Sequence, residues 1–115
     1  MNCYDTYKML YFSLEYIYED TKEENLGEFC SDMSPFIWEG ENSGDPAYYE
    51  KFKKLYNEKY KDNCSLEEAY NFCIEYLNEE EKDNIYAKSA INAFKSISLN
   101  DWIEACNNRD RKSVV

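Results

Sequence analysis

The sequence predicts an all-α protein, a single-domain bundle of five or six helices with one long loop rich in aromatic and acidic residues. Apolar residues recur at three- and four-residue spacing along the 115 residues, and no segment alternates as a strand does. Apolar residues make up 43% of the chain and aromatic residues 17%, which suits one packed core rather than an acidic disordered chain. We expect the domain to span residues 1–108, followed by a polar C-terminal tail at residues 109–115.

The first two predicted helices are short amphipathic segments near the N-terminus. An apolar stripe from Tyr4 to about Tyr18 predicts the first helix. The second is expected from about Lys22 to Asp32. Gly27 lies in its interior, where glycine costs about 1 kcal/mol of helix stability relative to alanine.

Residues 34–46 form the longest segment without helical periodicity, because both prolines and two of the three glycines fall within it. This loop carries Phe36, Ile37 and Trp38. A loop with three large apolar side chains must tuck them into the core or offer them to a partner. We expect Phe36 and Ile37 to plug one end of the bundle, and the sequence leaves Trp38 open between core and contact surface.

Two clear start signals begin the third and fourth helices. Asp45 is a good N-cap and Pro46 suits the first helical position, so the third helix is expected from there to about Tyr60, with lysines on its outer surface. Ser65 and Glu68 form the sequence pattern of a capping box, which predicts the start of the fourth helix.

The last part of the chain predicts two more helices after the fourth, which is expected to end at about Leu77. The fifth is expected from about Glu79 to Ile97, because its first turns are rich in acids that the positive end of a helix dipole favours. A short sixth helix is expected after a cap at Asn100 or Asp101.

Negative charge is concentrated in one segment of a chain whose net charge is −11. Residues 15–45 contain ten carboxylates and a single cation, Lys22, interleaved with aromatic residues. Such a field repels nucleic acid and anionic membranes and attracts a basic partner. We therefore expect no binding to nucleic acid or to a membrane.

The sequence lacks the motifs of catalysis and of cofactor or metal binding. The chain has no His, so Ser–His and Cys–His nucleophilic catalysis lack their base. The five cysteines are widely spaced, as in a cytoplasmic protein with reduced thiols, and no apolar run or signal sequence is evident. The acidic loop lacks the ligand spacing of a calcium site. We expect no cofactor, no metal and no enzymatic activity; a buried pair of carboxylates would be the one route to acid–base chemistry.

The aromatic loop and its acidic flank are the best functional candidate. Aromatic anchors supply affinity at an interface, and acidic side chains speed association with a basic protein. The alternative is that these acids only keep the protein soluble and that the many tyrosines form a half-buried rim of the core. The candidate partner-binding residues are Glu23, Glu24, Glu28, Asp32, Trp38, Glu39, Glu41, Asp45, Tyr48 and Tyr49.

The chain resembles, in overall type, the immunity proteins of bacterial polymorphic toxin systems, which are small, acidic and helical. The stretch Ser31-Asp-Met-Ser-Pro-Phe-Ile-Trp38, followed by Ser43-Gly-Asp-Pro-Ala47, is similar to a family signature of a small bacterial helical protein. The resemblance implies a cytoplasmic inhibitor that covers the active site or an exosite of a basic toxin domain, such as a nuclease.

In that reading the candidate carboxylates pair with Lys and Arg of the toxin. The desolvated anchor at the interface is Trp38, Tyr48 or Tyr49. A second hypothesis is an adaptor or regulatory subunit that binds another protein, as a monomer or a homodimer.

Overall fold

The computed structural model describes residues 1–37 and 40–114, and for residues 109–114 it describes the backbone alone. The predicted all-α bundle is confirmed: the described residues form six helices and no strand. They pack into one compact domain with a radius of gyration of 13.2 Å. The helices are α1 (Cys3–Thr21), α2 (Glu24–Met33), α3 (Pro46–Lys59), α4 (Leu66–Glu81), α5 (Ala87–Lys95) and α6 (Leu99–Val114).

Helix α1 is the centre of the bundle and contacts α2, α3, α4 and α5. Its Tyr7 is fully buried and donates a hydrogen bond of 2.6 Å to the carbonyl oxygen of Met33, which ties α1 to the end of α2. The ring of Phe52 lies edge-to-face with Tyr7, Phe72 and Tyr76 at centroid distances of 5.0–5.1 Å. Many of the tyrosines are therefore core residues whose hydroxyl groups find internal partners.

The predicted caps of α3 and α4 are present. The carboxylate of Asp45 accepts a hydrogen bond from the backbone N–H of Ala47, and Pro46 occupies the first helical position. Ser65 and Glu68 form a complete capping box, with distances of 2.9 and 3.1 Å between the paired atoms. Local sequence signals thus define where these two helices begin.

The predicted boundary between the fourth and fifth helices is wrong. Residues 79–81 complete α4 instead of starting α5, which begins at Ala87. These acids therefore lie at the negative end of a helix dipole. Lys51 of α3 offsets the repulsion, because its ammonium group donates to the carbonyl oxygen of Glu79 at 3.3 Å and pairs with the buried carboxylate of Glu80 at 3.6 Å.

Helix α6 begins and ends at positions other than those expected. The hydroxyl of Ser98 caps it by accepting a hydrogen bond from the backbone N–H of Asp101 at 3.1 Å, so Asn100 and Asp101 are not the caps. Its helical backbone continues to Val114, through most of the segment expected to be a polar tail. Among the helices of the described residues, none has the length and apolar character that a bilayer crossing needs.

Candidate binding surface

A groove with four carboxylates in its lining lies between α1, α2 and the start of the loop that follows α2. Its volume is about 510 Å³. The single cation that lines it is Lys22. We call it the acidic groove, and its charged and aromatic lining comprises Glu15, Glu19, Glu24, Glu28, Tyr11 and Tyr18.

The geometry of the acidic groove follows from helix periodicity and from one glycine. Tyr11, Glu15 and Tyr18 lie four and seven residues apart on α1, so they share one helical face. Gly27 of α2 lies directly beneath Tyr18: a Cβ atom at Gly27 would come within 2.7 Å of the Tyr18 Cε1 atom. The glycine that weakens α2 in isolation therefore lets the Tyr18 ring lie against the helix backbone.

Lys22 is the cation in the lining of the acidic groove. Its ammonium nitrogen lies 3.0 Å from a carboxylate oxygen of Glu19 and 5.2 Å from the centroid of the Tyr18 ring. Lys22 follows α1 in the left-handed conformation, with φ of 53°. Among the described side chains, the carboxylate that pairs with Lys22 is that of Glu19.

The other three carboxylates of the acidic groove keep their charge available. Among the described side chains, no lysine or arginine forms an ion pair with Glu15, Glu24 or Glu28. Burial raises the pKa of the neighbouring Tyr11 to about 12, and the carboxylate of Glu15 acts in the same direction. The groove thus combines a neutral phenol with uncompensated negative charge.

The expectation that Phe36 and Ile37 plug the bundle is wrong. Their exposed fractions are 59% and 60%, whereas Pro35 takes the inward position beside them. The core beneath is already filled by residues such as the fully buried Met33, and a close-packed interior has no room for two more large side chains. Ile37 lines the acidic groove, so the loop supplies an apolar rim.

The ring of Phe36 is held on the surface by α1. Its centroid lies 5.8 Å from that of Tyr11 and 5.7 Å from that of Phe12. Edge-to-face and tilted contacts of this kind orient an aromatic side chain without burying it. An exposed but ordered ring therefore lies next to the acidic groove.

Of the predicted site residues, Glu24 and Glu28 line the acidic groove. Three other predicted acids have structural roles. Glu23 caps α2 by accepting hydrogen bonds from two backbone N–H groups, and Asp45 caps α3. Asp32 accepts a hydrogen bond of 3.2 Å from a buried phenol.

The prediction that Tyr48 or Tyr49 is an exposed anchor is wrong. The two side chains are 7% and 4% exposed, because the start of α3 at Pro46 directs both toward the core. The Tyr48 hydroxyl accepts a hydrogen bond from the side chain of Asn84, and the Tyr49 ring lies 5.0 Å from the ring of Tyr7. Both tyrosines stabilise the fold.

The remaining predicted residues lie away from the acidic groove or outside the described residues. Glu41 is exposed and does not line the groove. Burial raises the pKa of Tyr4, at the other end of α1, and the charge of Glu41 acts in the same direction. Trp38 and Glu39 lie outside the described residues.

The site prediction missed the contribution of α1, namely Tyr11, Glu15, Tyr18 and Glu19. The acids were visible in the charge count, and their spacing places them on one helix face. The periodicity of a helix shows which residues share a face, but it does not show which other helix packs beside that face. The packing of this face of α1 beside α2 was therefore not predictable from the sequence pattern.

The described residues contain no group of three or more Cys, Asp or Glu side chains arranged to hold a metal ion. Comparison of the chain with known protein families, with curated proteins and with solved structures found no match.

Proposed function

We propose that this chain is a non-enzymatic protein-binding module that docks onto a basic protein through the acidic groove and its apolar rim. Three carboxylates of the acidic groove pair with no cation among the described side chains, and two exposed apolar side chains, Phe36 and Ile37, lie beside them. This combination is the observation that carries the proposal. Apolar anchors supply affinity, and the surrounding charge selects a cationic partner and speeds the encounter.

We further propose that the partner is a toxin domain and that the chain is the immunity protein that neutralises it in the cytoplasm. The resemblance to small acidic helical immunity proteins supports this partner class. A groove that receives Lys or Arg side chains of a basic domain would cover its active site or an adjacent exosite.

The experiment compares two variants of equal net charge. The first, Glu24→Lys/Glu28→Lys, reverses charge inside the acidic groove. The control, Glu58→Lys/Glu81→Lys, reverses two exposed carboxylates that do not line it. The wild type and both variants are used to capture proteins from the source cells, and bound proteins are identified by mass spectrometry.

A cognate partner is a basic protein that the wild type and the control retain and the groove variant loses. Capture by all three chains, or loss from both variants alike, would show that net charge rather than the groove governs binding. The toxin proposal has its own readout: expression of the captured partner stops cell growth, and co-expression of this chain restores it. A partner that leaves growth unchanged identifies the chain as an adaptor or regulatory subunit instead.

A further inference from the structure

The loop between α2 and α3, residues 34–45, begins and ends at the same place in the fold. The backbone N–H of Asp45 donates a hydrogen bond of 2.7 Å to the carbonyl oxygen of Asp32, in the last turn of α2. The last four carbonyl groups of a helix have no partner within that helix, so this bond satisfies one of them. The two ends of the loop are therefore joined through the backbone.

Ser43 fixes the returning end of the loop to α3. Its side chain is fully buried. The hydroxyl donates a hydrogen bond to the carbonyl oxygen of Asp45 and accepts one of 2.9 Å from the backbone N–H of Tyr49. Because a buried hydroxyl that loses its partners costs free energy, these two bonds hold residues 43–45 in one arrangement.

Gly44 lets the loop approach the end of α2 more closely than a residue with a Cβ atom could. A Cβ atom at this position would lie 2.6 Å from the carbonyl oxygen of Ser31 and 3.2 Å from that of Asp32. Ordinary contact begins at 3.4 Å, and a backbone carbonyl cannot rotate away as a side chain can. The φ of Gly44 lies outside the left-handed region, so space rather than backbone conformation requires glycine here.

Gly44 also lies against Ile37, one of the two exposed apolar side chains of the loop. The same Cβ position is 3.5 Å from the Cγ1 atom of Ile37, which is van der Waals contact. Ile37 and Ser31 both line the acidic groove. The close approach of Gly44 to α2 therefore determines where Ile37 lies relative to the groove.

The other exposed side chain, Phe36, has a separate support. Its ring contacts the rings of Tyr11 and Phe12 on α1, at centroid distances of 5.8 and 5.7 Å. Both apolar side chains of the loop are thus held in position in the free protein. Side chains that are ordered before binding lose less conformational entropy when a partner binds.

We propose that Gly44 is a positioning residue of the interface, which holds Ile37 beside the acidic groove before a partner binds. This inference rests on the proposed function for the partner, a basic protein. A Cβ atom at residue 44 pushes the loop away from the carbonyl oxygens of Ser31 and Asp32, and Ile37 moves with the loop. Gly44→Ala therefore weakens binding through Ile37 and leaves the carboxylates of the groove in place.

The first test uses the free protein and nuclear magnetic resonance. We expect a nuclear Overhauser effect between the Hα protons of Gly44 and the side chain of Ile37. We also expect Gly44→Ala to speed hydrogen exchange of the Asp45 amide, whose bond closes the loop, at least about tenfold. Absence of the Overhauser effect in the wild type, or unchanged exchange in Gly44→Ala, would overturn the inference.

A control variant lies in the same loop. Gly40 is exposed, and no atom lies within 4 Å of the position that its Cβ would take. Gly40→Asn keeps a residue that accepts the positive φ of 82°, and we expect it to change exchange of the Asp45 amide less than about twofold. Circular dichroism verifies that each variant keeps its helical content. If Gly44→Ala loses it, Ser43→Ala replaces that variant, because it loosens the same end of the loop without a clash.

The second test is a double-mutant cycle with the basic protein that the wild type captures and Glu24→Lys/Glu28→Lys loses. We expect Ile37→Ala and Gly44→Ala each to weaken binding of this protein at least about tenfold in isothermal titration calorimetry. Because Gly44 acts through Ile37, the double variant is expected to bind no more weakly than the weaker of the two single variants. Two losses that multiply would show that Gly44 acts independently of Ile37.

These outcomes separate the inference from the proposed function. If the partner requires Glu24 and Glu28 but binds Gly44→Ala as tightly as the wild type, the positioning role is wrong and the proposed function stands. If no basic protein is captured, the proposed function fails, and the spectra of the free protein alone decide whether Gly44 holds Ile37 in place.

Discussion

The contact between Gly27 and Tyr18 gives a quantitative test of how the acidic groove is built. In an open helix, Gly→Ala stabilises by about 1 kcal/mol. Here the new Cβ atom would lie 2.7 Å from a Tyr18 ring carbon, whereas ordinary contact begins at 3.4 Å, so the ring must retreat. Tyr18 is only half-buried and can move outward, at the cost of its packing on α2. We expect Gly27→Ala to leave the free energy of unfolding within about 0.5 kcal/mol of the wild type.

A double-mutant cycle isolates the clash from the helix propensity. In a Tyr18→Ala background the ring is gone, so Gly27→Ala is expected to deliver the full gain of about 1 kcal/mol. Urea denaturation of the four proteins gives the coupling energy, expected to be at least about 0.5 kcal/mol. An identical effect of Gly27→Ala in both backgrounds would refute the placement of Tyr18 on Gly27 and, with it, the described shape of the acidic groove.

Three further predictions concern the core. Tyr7→Phe leaves the carbonyl oxygen of Met33 without its buried hydrogen-bond donor. We expect this variant to lower the free energy of unfolding by about 1–2 kcal/mol in urea denaturation. The control Tyr16→Phe, at an exposed position, is expected to leave it unchanged. Burial raises the pKa of Cys3 to about 11 and that of Cys30 to about 12. A thiol reagent at pH 8 is therefore expected to label both cysteines in urea but not in the folded protein. Rapid labelling of the folded chain would contradict this. Burial raises the pKa of the core tyrosines Tyr7 and Tyr76 above about 10, so their stabilising effect is complete below that pH and is lost as pH rises through the folded values. The part of the tyrosinate absorbance that these buried residues contribute is therefore expected to appear together with unfolding.

The fold was predictable because each helix carries its own signal. The apolar stripes and the caps at Asp45 and Ser65 are local features, and the structure uses them as the sequence indicates. The boundary between α4 and α5 was not predictable in the same way. The acids at residues 79–81 suit a helix start, but a lysine from another helix, Lys51, makes them tolerable at a helix end. Long-range contacts thus override the local preference.

The binding surface was predictable in part. The charge count identified the segment, and two of its acids, Glu24 and Glu28, line the acidic groove. Residues 36 and 37 follow no helical period, so the sequence offered no signal for the side they face. Tyr48 lies on the apolar stripe of α3, and that pattern correctly favours burial over the role of an interface anchor.

If the proposed function holds, a basic partner recognises the acidic groove and not merely the overall negative charge of the chain. Stopped-flow association rates of the captured partner at several salt concentrations separate these two cases. We expect Glu24→Lys/Glu28→Lys to slow association at least about tenfold at low salt, and Glu58→Lys/Glu81→Lys to stay within about threefold of the wild type. Equal slowing by the two variants would show that the acidic groove has no special role.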